Sequence, residues 1–366
     1  MRFEEASYQA MLCADKNGYT GREIKIYELD DEWIYLIFPS EEITKECPRI
    51  SINRESGEIT HGIINTPKQL NMLDFKPITK ELLIREGRSL RRSRIQICDY
   101  TPGCLYIWRH YYHMRCAEAD GMFIFESGDG SGLYYNCPVG MGDFSAAVLE
   151  ARDDAEKRGI PLRFSCIPSE YVDVIQSIIG RKAEIVSDRA SADYLYPYEQ
   201  FCGYNGKALH GQRNHVNRFK AEHPDFSFEM LTGENLPEAE SFMRLNRNEF
   251  YKGSEISADE LARIDEFLPC ISELGISGGM LRAGGVVVGL TAGEIVGDTL
   301  HVHIEKALPD FSGAYQTLAM CFAESMKRPG VNFINRQDDT GDEGLRKSKL
   351  SYKPCALLDK FTLLFG

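Results

Sequence analysis

The chain has 366 residues, 43% of them hydrophobic and 27% charged, with a net charge of −13. That composition suits a globular protein of two or three domains, and no run reaches the ~18 apolar residues that would span a bilayer. The acidic balance excludes a general nucleic-acid binder, because affinity for phosphate backbones comes from Lys and Arg; an anionic partner would need a local basic patch.

The opening MRFEEASYQAML lacks a basic segment followed by an apolar one, so a cytoplasmic location is expected. Residues 1–70 read as a small module: a helix EEASYQAMLCADKNG ended at Gly18, then strand-like EIKIYEL, EWIYLIF and RISINRESGEITHGII with a turn at Glu55-Ser56-Gly57. Residues 71–200 begin with strand LDFKPI and helix KELLIREGRSL, capped by Thr79. Strands broken by Gly-rich turns follow, then the amphipathic DFSAAVLEARDDAEKRG ended by Gly159, strand PLRFSCI, helix SEYVDVIQSIIG, and strands in KAEIVSD and ASADYLY. Residues 201–224 form a basic linker helix, in which Arg213, Asn217 and Lys220 share a face suited to an anionic partner. Residues 225–366 run through strand FSFEMLT, two helices, a three-strand meander ending in HVHIEKA, helix AYQTLAMCFAESMKR, strand VNFINRQ, helix DEGLRKSKLSY and a final strand CALLDKFTLLF. The two larger units share one element order, that of the GNAT (N-acetyltransferase) fold. The expected fold is therefore α/β (α+β): tandem GNAT-like domains with mixed central sheets, behind the small α+β module.

The segments CLYIWRHYY (104–112), NCPVGMGDF (136–144), DYLYPYEQFCGYNGKALHGQRNHVNRFKAEHP (193–224), HVHIEKALPDFSGAYQ (301–316) and NRQDDTGDEGLRKSKLSYKP (335–354) resemble the phosphatidylglycerol lysyltransferase C-terminal domain family, over about residues 73–366. The resemblance implies tandem GNAT-like domains and an activity that moves an amino acid from aminoacyl-tRNA to an acceptor. The membrane flippase domain that precedes this one in the full-length enzymes is not in the sequence, which leaves a lipid acceptor open.

In GNAT folds the donor's phosphates meet backbone amides at the start of the helix after the fourth strand. Here that place is Gly313, Ala314, Tyr315 and Gln316; in the first unit it is Cys137–Gly142, which keeps a G-x-G. Simple alternation along HVHIEKA puts His301, His303 and Glu305 on one face, with His303 or Glu305 available as base for an acceptor amine. Asp338 or Asp339, where the fifth strand splays from the fourth, could hold a substrate amino group. Arg346 and Lys349, on one face of the next helix, could neutralise phosphate or a tRNA 3′ end. The expected catalytic set is His303, Glu305 and Asp339; the expected donor site adds Arg346 and Lys349 to the helix start. Eleven cysteines without a CxxC pair suggest no metal centre; no covalently held cofactor is expected, and the resemblance implies acyl-CoA or aminoacyl-tRNA as co-substrate. The function expected is an acyl- or aminoacyltransferase working by direct attack of an amine or hydroxyl. The alternative is a non-catalytic ligand-binding or regulatory protein on the same scaffold.

Overall fold

The computed structural model describes residues 2–19, 23–28, 32–38, 47–64, 72–119, 121–130, 132–251 and 255–366. Helix α1 (Phe3–Lys16) buries Ala6, Ala10 and Ala14, spaced one turn apart. These small residues let it lie close on Trp33, Tyr35, Ile37, Ile50 and Ile52. Those side chains come from an antiparallel sheet in the order β1 (Glu23–Glu28), β2 (Glu32–Phe38), β3 (Cys47–Asn53), β4 (Ile59–Ile64). Gly18, past the helix end, takes the left-handed φ of 69° expected of it. Ile34, between the inward-facing Trp33 and Tyr35, is wholly buried and belongs to the main core, so the module's sheet is covered on both faces.

The body continues with β5 (Lys76–Pro77), α2 (Lys80–Leu90), α3 (Pro102–Trp108), β6 (Arg115–Ala119), β7 (Met122–Asp129), β8 (Gly132–Asn136), β9 (Val139–Gly140), α4 (Phe144–Arg158), β10 (Arg163–Ile167), α5 (Ser169–Ile179), β11 (Glu184–Ser187) and β12 (Asp193–Pro197). Then come α6 (His210–Glu222), β13 (Ser227–Met230), α7 (Leu236–Leu245), α8 (Arg247–Phe250), α9 (Glu255–Phe267), β14 (Ser277–Ala283), β15 (Val286–Val296), β16 (Thr299–Ala307), α10 (Ala314–Met326), β17 (Phe333–Asn335), α11 (Glu343–Ser351), β18 (Ala356–Leu358) and β19 (Phe361–Leu364). Local chemistry sets the helix ends: Thr79 and Asp143 accept from Leu82 N–H and Ala146 N–H, and Gly159 closes α4 at φ 65°. Among the described residues no helix is long and apolar enough to cross a membrane.

Two mixed sheets, GNAT-like, form the body. The first runs β11-β19-β10-β8-β7-β6-β5, with β9 on β7; the second runs β13-β14-β15-β16-β17-β12-β18. The expected allocation of strands to units is corrected at two places. Strand β12 leaves the first unit and lies between β17 and β18, with Leu195 opposite both Asn335 and Ala356. Strand β19, from the chain's end, lies between β10 and β11, with Leu364 opposite Arg163 and Glu184. CALLDKFTLLF is thus two strands in two sheets, broken at Asp359-Lys360. A charged pair cannot sit mid-strand in a sheet covered on both sides without a partner, and Lys360 finds its partners at the crossing point.

Candidate functional site

Strands β16 and β17 pair in parallel through Thr299↔Phe333, Leu300↔Ile334 and His301↔Asn335, and the pairing ends there. Just beyond, β16 carries a bulge: Ala292 of β15 faces Ile304 while Gly293 faces Val302, which leaves His303 as the extra residue. A bulge reverses the alternation that follows it, so the expected single face for His301, His303 and Glu305 is corrected. His303 points with Ile304 toward the main core, its ring 6.3 Å from that of Phe267. Glu305 turns to the other side and pairs with Arg336, whose guanidinium lies 4.4 Å from the Tyr352 ring.

The expected catalytic residues are each tied to other partners. The Gln337 amide donates to His303 Nδ1 at 3.2 Å, which leaves the ring proton on Nε2, 3.1 Å from Glu294 Oε1. Glu294 is fully buried; burial would raise its pKa, but His303, Arg91 (2.9 Å) and the Gly103 N–H (2.6 Å) hold it below its ordinary value. Asp339, also buried, receives both Nε and Nη2 of Arg346 at 2.9 Å, Tyr194 Oη at 2.6 Å and Arg189 at 3.3 Å. The Arg346 fork, with Tyr194 and the Gly341 N–H, pulls its pKa down against burial. Lys349 donates to the Arg336 carbonyl at 2.6 Å, to Gln337 at 3.3 Å and to Asp338, clamping the turn after β17. Burial, then the Arg336 charge, pushes its pKa down to about 8.

At the expected donor loop Gly313 and Ala314 are packed, Gln316 is half-buried and Tyr315 is exposed. Gly313 holds φ 88°, and a Cβ there would overlap the His215 carbonyl of α6. The Ala314 N–H is taken by the Phe311 carbonyl at 2.9 Å, Gln316 O accepts from Tyr204 Oη at 3.0 Å, and Tyr315 is 38% exposed. Arg213 departs from the patch expected with Asn217 and Lys220, because its guanidinium donates to the carbonyls of Tyr204 (2.7 Å) and Gly206 (3.1 Å). Asn217 and Lys220 are exposed. Helix α6 meets α11 through Gln212 and Ser351 at 2.6 Å. On α11 an open groove of about 560 Å³ is lined by Glu343, Arg346, Lys347, Leu350, Ser351 and Lys353.

A second polar cluster lies between the halves, beside the splay. The Lys360 ammonium, almost fully buried, sits 2.7 Å from Asp99, 2.9 Å from Asp193 and 3.8 Å from Asp338. Asp193 also accepts from the Asn335 amide and the Cys98 N–H, both at 2.7 Å. Burial opposes charge on Lys360, but Asp193 and Asp99 outweigh it and raise its pKa. Cys98, Asp99 and Asp193 present ligand atoms within 4.8 Å of one another, and the Lys360 ammonium fills the cation position among them. Asp338 differs: its carboxylate has no hydrogen bond among the described residues, and its side chain is 26% exposed. Burial, only partly offset by Lys360, pushes its pKa up to about 6. Tyr112 is 40% exposed; burial, then Asp99, Cys166, Tyr111 and Asp338, raises its pKa. Asp338 lay within the expected segment. Asp99, Asp193 and Lys360 were missed, and their one local sign is the charged break in an otherwise apolar final strand.

The family profile described as "Phosphatidylglycerol lysyltransferase, C-terminal" matches residues 90–364. A conserved protein of unknown function from Bacteroides thetaiotaomicron is 30% identical, with a TM-score of 0.74, over 81% of this chain and 100% of its own. The C-terminal domain of a protein described as a lysylphosphatidylglycerol synthetase, from Agrobacterium fabrum, is 12% identical with a TM-score of 0.58, over 79% of this chain and 93% of its own. FemX, at 9% identity and a TM-score of 0.51, shares the fold over 80% of this chain and 98% of its own. A curated relative, protein MYCGA3080 of Mycoplasmoides gallisepticum, is 26% identical over 49% of this chain, which spans 57% of that relative. On the strength of the profile match and the Bacteroides relative, the chain belongs to the phosphatidylglycerol lysyltransferase C-terminal family, with a GNAT-like fold.

Proposed function

We propose that the protein is an aminoacyl- or acyltransferase in which an acceptor nucleophile attacks an activated carbonyl directly, beside the polar cluster between the two halves, with Asp338 as base. The family supports transfer of an aminoacyl or acyl group in general; the site supports the rest. Asp99, Asp193, Glu294, Glu305, Asp338 and Asp339 gather around the splay, and Asp338 is the one whose carboxylate lacks a hydrogen bond among the described residues. A carboxylate with a pKa near 6, about a quarter exposed and without a hydrogen bond among the described residues although the Lys360 ammonium lies 3.8 Å away, is suited to take a proton at neutral pH. His303, Glu305 and Asp339 then act as supports: Glu305 and Asp339 hold Arg336 and Arg346, and His303 holds Gln337 in the turn that presents Asp338. The donor's anionic part, from aminoacyl-tRNA or acyl-CoA, would lie along Lys347 and Lys353 of the α11 groove and the exposed residues of α6. The saturation of His303, Glu305 and Asp339 favours the second reading, a binding protein that keeps the scaffold without chemistry.

The test is donor consumption. Aminoacyl-tRNA and acyl-CoA are each incubated with the full chain and a mixture of amine and hydroxyl acceptors, and loss of the ester or thioester is followed. Asp338→Asn should slow transfer by about 10²–10⁴-fold while donor binding is kept. No consumption of either donor class would leave the binding-protein reading standing, and a wild-type rate in the variant would remove Asp338 as base.

A further inference from the structure

The turn after β17 is held at every residue, and one side chain in it is left unheld. The Lys349 ammonium, in a residue only 8% exposed, donates to the carbonyls of Arg336 (2.6 Å), Gln337 (3.3 Å) and Asp338. One turn earlier on the same face of α11, Arg346 holds the Asp339 carboxylate with two nitrogens at 2.9 Å. Arg336 is tied to Glu305; Gln337 donates to His303 from its side chain and to the Asn335 side chain from its backbone N–H, at 2.6 Å. Gln337 sits at φ 57°, a left-handed conformation that costs a residue with a Cβ about 1–2 kcal/mol. Asp338 is the one side chain of residues 336–339 without a hydrogen bond among the described residues. Three successive carbonyl oxygens aimed at one point repel one another, and the arrangement holds only around a cation. Among the described residues this ammonium makes no ion pair within 4.0 Å, so no carboxylate partner offsets its burial. A methionine would fill the same length without that cost. What the lysine contributes is therefore the shape of residues 336–338, and that shape sets where Asp338 points.

We infer that Lys349 is a positioning residue for the transfer step: by gathering the carbonyls of residues 336–338 it fixes the left-handed Gln337 and aims the Asp338 carboxylate at the acceptor. This rests on the transferase reading above, with Asp338 as base, and adds the residue that directs that base. Lys349 itself touches neither donor nor acceptor and takes no proton in the step. Without its ammonium the three carbonyls diverge and Gln337 returns to negative φ. Asp338 then loses its fixed direction, while Arg346 still holds Asp339 and Glu305 still holds Arg336.

The experiment is the donor-consumption assay on the full chain, run as a double-mutant cycle: wild type, Lys349→Met, Asp338→Asn and the double variant. Two further proteins stand beside them. Lys349→Arg keeps the charge, and Lys327→Met removes an exposed lysine that pairs with Glu199 at 2.9 Å just after α10. Lys349→Met should lower kcat about 10²-fold with little change in the KM for donor. In the Asp338→Asn background the same substitution should cost less than about threefold, because a residue that acts through Asp338 has nothing left to aim. Lys349→Arg should recover part of the rate, and Lys327→Met should match the wild type. A wild-type kcat in Lys349→Met, an equal loss in both backgrounds, or a loss confined to KM would overturn the inference and leave the transferase reading in place. Should thermal unfolding show that Lys349→Met has lost its fold, Lys349→Arg takes its place in the cycle, and the comparison of the two backgrounds decides in the same way. No consumption of any donor by the wild type would remove the transferase reading, and the inference with it.

Discussion

His301 shows how one buried residue couples this fold to pH. It is fully buried, and neither ring nitrogen has a partner. Burial first, and the neighbouring His303 next, pushes its pKa from 6.5 down to about 4. The folded chain therefore binds fewer protons here than the unfolded chain, so stability is intact above pH 6.5 and is lost as pH falls toward 4. Between pH 7 and 5 the loss from this residue should be ~2 kcal/mol, read by urea unfolding at both values. His301→Leu, which gives up no hydrogen bond, should flatten that slope; an unchanged slope would show that the ring is already solvated. Asp338 has the opposite sign. Its folded pKa is raised from 3.8 to about 6, so its contribution to stability is full below pH 3.8 and is lost as pH rises through 6. Activity should run the other way, rising through about pH 6 as the carboxylate forms, and the Asp338→Asn variant should lack that limb.

Strand exchange makes each half depend on the other. β19 supplies a central strand of the first sheet, between β10 and β11, and β12 does the same for the second, between β17 and β18. A fragment of residues 72–200 would lose the partner that pairs both β10 and β11 and would carry β12 with nothing to pair it. Two unpaired strand faces leave main-chain polar groups and an apolar surface open to water. The fragment should be unfolded or aggregated when expressed alone and should gain protected amides when mixed with residues 201–366, measured by hydrogen exchange. A fragment that folds alone would show that β19 is dispensable. Glycines at tight places act on this scale too. At Gly103 a Cβ would stand 2.5 Å from His303 Nε2 and 3.0 Å from Glu294 Oε1, inside the joint between α3 and β15. Gly103→Ala should cost about 1–3 kcal/mol of stability by overpacking, seen as a lower urea midpoint.

Across the molecule the charge is uneven. The net charge is −13, yet Lys347 and Lys353 lie exposed along the α11 groove, and α6, joined to it through Gln212, exposes Asn217 and Lys220. An anionic donor held there should bind more weakly as salt rises. For a single-stranded RNA 3′ end, removing one phosphate-contacting lysine should lower the slope of log K against log salt by about 0.7. Lys347→Ala and Lys353→Ala, titrated at several salt concentrations, test this. Unchanged slopes would place the donor elsewhere.

Local chemistry was readable from the residues themselves. The helix caps Thr79 and Asp143, the stops at Gly18 and Gly159, and the element order of both units are written in neighbouring side chains, because capping, turn formation and amphipathic spacing act over a few residues. Three features depended on the tertiary structure. The bulge at His303 sends Glu305 to the opposite face, since one extra residue in a strand reverses everything after it. The exchange of β12 and β19 leaves no mark in an apolar strand, because main-chain hydrogen bonds serve any partner equally. The meeting of Asp99, Asp193, Asp338 and Lys360 joins residues far apart in the chain, and what holds them is the cost of burying a charge without an opposite one beside it.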